Sequence, residues 1–260
     1  MNPLESLPGE IEHLLHFLSS QELWGPITTY TPFIVFILLL VLVIVFVAKR
    51  QLSMVPKNRF VGVVEFFVDF TSNDIGYGVL GASAKKHIPF LLTLFIFILT
   101  ANLAGILPGA HSAAGVMSTT VALALISFVY FTFHGIKHHG IGGYILSFAP
   151  PGLPGPLAAF IWLLEFFSMI LRLLTLSVRL FANVFAGHIL LGVLAILTTL
   201  FITPIISALT LETAGFAVVG VIWLVLLTVL YALEIFISVV QAYVFTLLTS
   251  VYVMLSTTEH

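Results

Sequence analysis

Two apolar stretches dominate the C-terminal part of this 260-residue chain: 157–202 with 46 residues and 206–254 with 49, parted near Pro204. At 1.5 Å per residue each would make a helix of about 70 Å, against a hydrocarbon core of about 30 Å. Either each stretch folds into a hairpin of two spans, or each is one helix lying far from the bilayer normal. Membrane helices tilt by about 20° on average, which favours the hairpin. Neither stretch has a turn signal at its middle, however, and Gly187, Gly192, Gly215 and Gly220 are tolerated inside membrane helices. Length and pattern leave the choice open.

With 60% apolar and 8% charged residues, this composition does not belong to a water-soluble domain, and an all-α integral membrane protein is expected. The absence of cysteine excludes disulfides and Cys-based metal or nucleophile sites. A net charge of −2 without a basic run beyond pairs offers no footprint for nucleic acid. We expect one membrane domain over residues 1–260. Residues 1–22 carry Glu5, Glu10, Glu12 and Glu22 but no Lys or Arg, unlike a secretory signal peptide. The recurrence of Leu4, Ile11, Leu14, Leu15 and Leu18 suits an amphipathic helix on the membrane surface. A first span is expected over 27–48, ended by Lys49 and Arg50. Residues 57–86 place Phe60, Val63, Val64, Phe67 and Val68 on one helical side and Glu65 and Asp69 on another, the pattern of an interfacial amphipathic helix. Two further spans are expected within 88–134, near 88–107 and 116–134, parted by Pro108-Gly109-Ala110-His111. A Gly- and Pro-rich loop over 135–156 then precedes the long region 157–256.

Seven of the nine basic residues, Lys49, Arg50, Lys57, Arg59, Lys85, Lys86 and Lys137, fall between spans and on one side of the membrane. The positive-inside pattern makes that side cytoplasmic and the N-terminus outer. The C-terminus returns to the cytoplasm whether each long stretch crosses once or forms a hairpin.

The other two basic residues, Arg172 and Arg179, lie deep in the first long stretch, where an Arg on a lone helix costs at least about 2.5 kcal/mol. Glu165, Arg172 and Arg179 follow one another at intervals of seven and so share a helical stripe. The stripe continues roughly through Asn183, Ala186 and Gly187, turning small and polar enough for a neighbouring helix to approach closely. The second stretch supplies Glu212, Glu234 and Gln241, the last two again on one face. If the stretches run antiparallel with Arg179 level with Gln241, then His188 and Glu234 are level too, about 10–14 Å towards the outer side.

Each of these has a plainer reading. Arg172 has Glu165 two turns away for a structural bridge, His188 could donate to a backbone carbonyl, and Gln241 could merely hold helices together. Arg179 has no such nearby carboxylate in sequence. A guanidinium stays protonated and favours the ionised form of an approaching acid, so a fixed Arg here suits a carboxylate that is charged only in passing. His and Glu, with ordinary pKa values near 6.5 and 4.3, suit proton entry from water. A stand-alone ion or solute transporter would also use intramembrane charge pairs, but no convincing repeat links the early spans to the late ones. A membrane haem enzyme is disfavoured, because His87, His111, His134, His138 and His139 gather near span ends and His188 lacks an evident axial partner. No cofactor or metal is expected.

The run Leu176-Ser177-Val178-Arg179-Leu180-Phe181-Ala182-Asn183-Val184-Phe185-Ala186-Gly187-His188 resembles the signature of subunit a of F-type ATP synthases. Tyr231-Ala232-Leu233-Glu234, the run from Gln241 to Tyr252, and Asn102-Leu103-Ala104-Gly105-Ile106-Leu107-Pro108 reinforce it. The likeness extends from about Trp24 to the C-terminus. It implies that Arg179 faces the carboxylate of a rotating c-ring and separates two aqueous half-channels, with Asn183 and Gln241 as polar neighbours. It also implies that His188 and Glu234 form the outer half-channel pair. A well-known bacterial form carries Glu and His there in the reverse order, and this chain looks like the mitochondrial and alphaproteobacterial arrangement.

The resemblance further implies single, strongly tilted C-terminal helices, five crossings and placement in a bacterial inner membrane. Its partners would be c-ring subunits, b-type peripheral stalk subunits, the rest of the synthase and the lipid bilayer. Secondary half-channel candidates are Glu165, Ser168, Arg172 and Glu212. The chain itself would be a non-catalytic proton-channel subunit, since it has no GxxxxGK[ST] phosphate loop.

Overall fold

The computed structural model describes residues 7–18, 22–24, 27–28, 30–51, 59–107, 112–146, 148, 155–207 and 211–257. The described chain is almost wholly helical, as an apolar environment that offers backbone groups no water demands. Helix α1 is Leu7–Leu18. Strands β1 (Glu22–Trp24) and β2 (Ile27–Thr28) form a minimal antiparallel ladder, and α2 follows at Tyr30–Gln51. Ile27 therefore belongs to the ladder and not to the first membrane helix, which starts three residues later than the apolar run suggested.

Helix α3 (Arg59–Phe70) passes into a π-helical segment, Thr71–Tyr77, then the short α4 (Gly78–Leu80) and a 3-10 turn at Gly81–Ser83. Gly81 takes φ 56°, a left-handed conformation open to glycine without a Cβ clash, and α5 (Ala84–Gly105) begins beyond it. On α3 the inward residues are Phe67, tilted against Phe95, and Phe70, lying between Phe95 and Tyr243. Val63, on the same apolar side, is 54% exposed, as a residue on the lipid-facing side of an interfacial helix can be. The helix has apolar residues around much of its circumference, and contacts with α5 and α8 select which of them turn inwards.

Helix α6 (Met117–Leu146) departs from expectation. The helix continues through 135–139, is interrupted at Gly140, where φ is 73° and ψ 164°, and resumes over 141–146, so the break falls five residues later than expected. Gly135 does not act as a breaker: it is buried where the Tyr144 ring and the Ser256 carbonyl press against the helix, leaving no room for a Cβ.

The ambiguity of the two long stretches resolves into two single helices, α7 (Gly155–Ser207, 53 residues) and α8 (Leu211–Thr257, 47 residues). Helix α7 runs through Pro204 to its end. Four helical runs are long and apolar enough to cross a membrane: Gly62–Gly105, Met117–Leu146, Pro156–Thr203 and Val218–Thr257, with Tyr30–Phe46 as a shorter apolar helix.

α7 and α8 pair over most of their length. A Cβ on Gly220 would meet Ile202 and the Phe201 carbonyl carbon at 3.1 and 3.3 Å, and Gly187 lies against Glu234. Moving 14 residues along α7, from 187 to 201, thus moves 14 residues backwards along α8, from 234 to 220. The pair is antiparallel and in even register, with small residues letting the backbones close up. The core joins Ile37 and Val41 of α2, Phe95 and Ile98 of α5, Ala124 of α6, Leu176, Leu180 and Val184 of α7, and Ala242 and Phe245 of α8. A second cluster holds Leu80, Ala84, Leu91, Phe131 and Val253.

Candidate proton-path site

The core-facing side of α7 carries Leu176, Leu180, Val184 and Leu191, all buried, so the opposite side is turned away from the fold. That outer side presents Leu171, Leu174, Val178, Ala182 and Phe185, and Arg179 is exposed among them. Arg179 makes no hydrogen bond or ion pair among the described residues. A guanidinium on an apolar helix face is costly in lipid and inexpensive opposite an anion. Asn183, one helical turn on, is half-buried.

Arg172 is different. Its guanidinium lies 2.6 Å from the Glu165 carboxylate and 5.4 Å from the centre of the Tyr252 ring on α8. It is thus tied within α7 and to α8, and the structural bridge is the arrangement found. Ser168, between the two on the same helix, is half-buried.

On α8, Glu234 is 8% exposed and its carboxylate packs directly on Gly187, so that an added Cβ there would fall 2.6 Å from Cδ and 2.7 Å from Oε2. The residue after Gly187 is His188, half-buried, whose Nε2 turns towards α5: it would stand 3.1 Å from a Cβ on Gly105. Ser112 closes the same spot, with Oγ 2.7 Å from that position. Glu234 of α8 thus rests on α7 at Gly187, and the next residue, His188, reaches the close approach of α7 to α5 at Gly105 and Ser112. Continuing the even register eight residues from Gly187 to Arg179 leads from Glu234 to Ala242, beside Gln241. Gln241 is 7% exposed, and its Nε2 is buried without a hydrogen-bond partner among the described residues. The Glu212 side chain lies outside the described residues.

Asn102 of α5, 4% exposed and one turn before Gly105, was not singled out by charge or spacing. Both its amide nitrogen and its amide oxygen are buried without a partner among the described residues. Ser112 Oγ is in the same condition. By contrast, Thr246 and Thr249 of α8 satisfy their hydroxyls on their own helix, at the carbonyls of Ala242 (2.8 Å) and Phe245 (2.9 Å). Buried amides left unsatisfied are rare and call for water or a polar ligand. The available signals were a lone amide inside an apolar span and its place at the head of the Asn102-to-Pro108 motif.

The model of the ATP synthase A chain family matches residues 30–254. An ATP synthase subunit a from Nocardioides sp. is 39% identical over 213 residues, covering 80% of this chain and 74% of that one. Proteins of the same name from Acidiphilium cryptum (38% over 206 residues, 79% and 78% covered) and Ehrlichia canis (33% over 218 residues, 83% and 82% covered) are also similar.

Proposed function

The chain belongs to the ATP synthase A chain family, and from that premise we propose that it is the stator of a proton-translocating membrane sector, coupling proton flow to rotation of a c-ring. The observation that carries this reading is Arg179, presented on the outer apolar face of α7 while Glu165 is already taken by Arg172. A fixed cation so placed pairs with a passing carboxylate and releases it only when the carboxylate gains a proton.

Protons enter from the outer side near Glu212, His188 and Glu234, helped by water held at Asn102 and Ser112, and reach a ring carboxylate just freed from Arg179. The neutral acid is then able to move into lipid. After nearly a full turn it loses its proton to a cytoplasmic path near Glu165, Ser168 and Arg172 and meets Arg179 again. Asn183 and Gln241 hold the guanidinium's surroundings polar. Each proton contributes about 2.3 kcal/mol per 100 mV crossed. The chain makes and breaks no covalent bond, and ATP chemistry belongs to the partners.

In this reading residues 1–260 form one membrane unit in a bacterial inner membrane, with the N-terminus periplasmic and the C-terminus cytoplasmic, as the basic residues between spans indicate. Helices α7 and α8, far longer than the bilayer is thick, lie strongly tilted along the ring. A b-type peripheral stalk holds the chain against rotation. The test is Arg179→Ala in the assembled complex, read as ATP-driven quenching of a pH-sensitive dye: pumping disappears if Arg179 is the coupling cation, and unchanged pumping overturns the assignment.

A further inference from the structure

We propose that the groove between α5 and α6 binds an anionic phospholipid, with an acyl chain against Phe90, Leu125, Ile126, Val129 and Phe133 and the headgroup phosphate held by Lys86 and Lys137. The groove is a shallow surface feature lined by those five residues and Tyr130. Its floor is rigid, because Phe90 and Tyr130 stack face to face at 3.7 Å with ring planes 6° apart, and the Tyr130 hydroxyl is hydrogen-bonded to His87 Nδ1 at 2.9 Å. Its walls are open: Leu125, Ile126, Val129 and Phe133 are 48–59% exposed.

What distinguishes this groove from ordinary lipid-facing surface is its charge at one end. Lys86 precedes Phe90 by four residues and Lys137 follows Phe133 by four, so each aromatic wall is continued one helical turn further, on the same face, by an exposed lysine. His134 lies beside His87, their rings 4.7 Å apart, at that same end, and Lys85 and His138 are also exposed there. Neither α5 nor α6 contains an Asp or Glu, so nothing on these two helices neutralises the cluster. An apolar trough leading into uncompensated cations at the membrane surface matches the form of a lipid with a negative headgroup.

The test uses the whole complex in phosphatidylcholine vesicles doped with phosphatidylglycerol or phosphatidylcholine bearing the same photoreactive acyl chain, with labelled peptides located by mass spectrometry. The α5–α6 groove should take the phosphatidylglycerol label in preference, by about thirtyfold, the size two interfacial lysines supply. Lys86→Gln with Lys137→Gln should bring the two lipids level, while Lys86→Arg with Lys137→Arg keeps the preference. Equal labelling of the unmodified complex by both lipids overturns the proposal, whatever the variants do. So does a cysteine crosslink from position 129 to a helix of another subunit, which would make the groove a protein interface.

Discussion

The carboxylate of Glu234 rests on the bare backbone of Gly187, one residue before His188. This contact sets the level at which α7 and α8 meet and brings a buried acid against α7 one residue before an imidazole that turns towards α5. It also makes a glycine, a residue without chemistry, a condition for the proposed proton entrance.

Gly187→Ala should therefore act as a transport mutation. The added methyl occupies the position of the carboxylate, and overpacking of this kind costs about 1–3 kcal/mol or displaces the acid. ATP-driven proton uptake should fall several-fold or more while the complex still assembles. Uptake at the unmodified rate would show that Glu234 works from some other position.

His188→Leu and Glu234→Leu should each slow proton uptake by about a hundredfold, the scale of losing a positioned proton-transfer group. Dye-quenching assays on reconstituted complexes check this, and normal quenching in either variant removes that residue from the path.

Asn102→Leu separates transport from stability. Deleting a buried amide with no protein partner should leave the thermal stability of the complex unchanged or slightly raised, within about 1 kcal/mol. Proton uptake should nevertheless drop, if the amide holds water in the path. A variant that melts early and pumps normally would make Asn102 a structural residue only.

Arg172→Ala should behave unlike Arg179→Ala. It leaves Glu165 without its partner and removes the contact with Tyr252, at a cost of about 1–3 kcal/mol. The complex should dissociate at lower temperature, and Glu165→Gln added to Arg172→Ala should restore part of the loss. No rescue in that double-mutant cycle would mean that the ion pair contributes little.

Gly105→Ala and Gly135→Ala make a matched pair. Both glycines are buried where a Cβ collides, the first with Ser112 and close to His188 Nε2, the second with the Tyr144 ring and the Ser256 carbonyl. Both should lower thermal stability by about 1–3 kcal/mol. The first should also slow proton uptake beyond what its stability loss accounts for, and equal transport defects in the two would deny Gly105 its place beside the path.

Much of this was legible in the sequence. The apolar runs located most membrane helices to within about five residues, because a bilayer imposes both length and hydrophobicity on anything that crosses it. Helix α6 is the exception, because it continues past 134. The intervals of seven among Glu165, Arg172 and Arg179, and between Glu234 and Gln241, exposed the stripes that carry charge. Gly135 was misread for a physical reason. In an apolar solvent the helix-breaking signal that water supplies is weak, so the contact with Tyr144 decides.

The amino-acid order by itself determined that the chain is a helical membrane protein, which polar residues are too costly to be accidental, and which helical face each occupies, since periodicity and desolvation act within one helix. Length and pattern left open whether each long stretch is one helix, which the family resemblance implied and the tertiary structure shows. The tertiary structure also shows Arg172 bound while Arg179 faces outwards. It alone brought Glu234 onto Gly187 and His188 Nε2 against Gly105, one turn from Asn102. These depend on contacts between segments that are distant in sequence, and such contacts rest on small residues and packed shapes whose partners no single helix names.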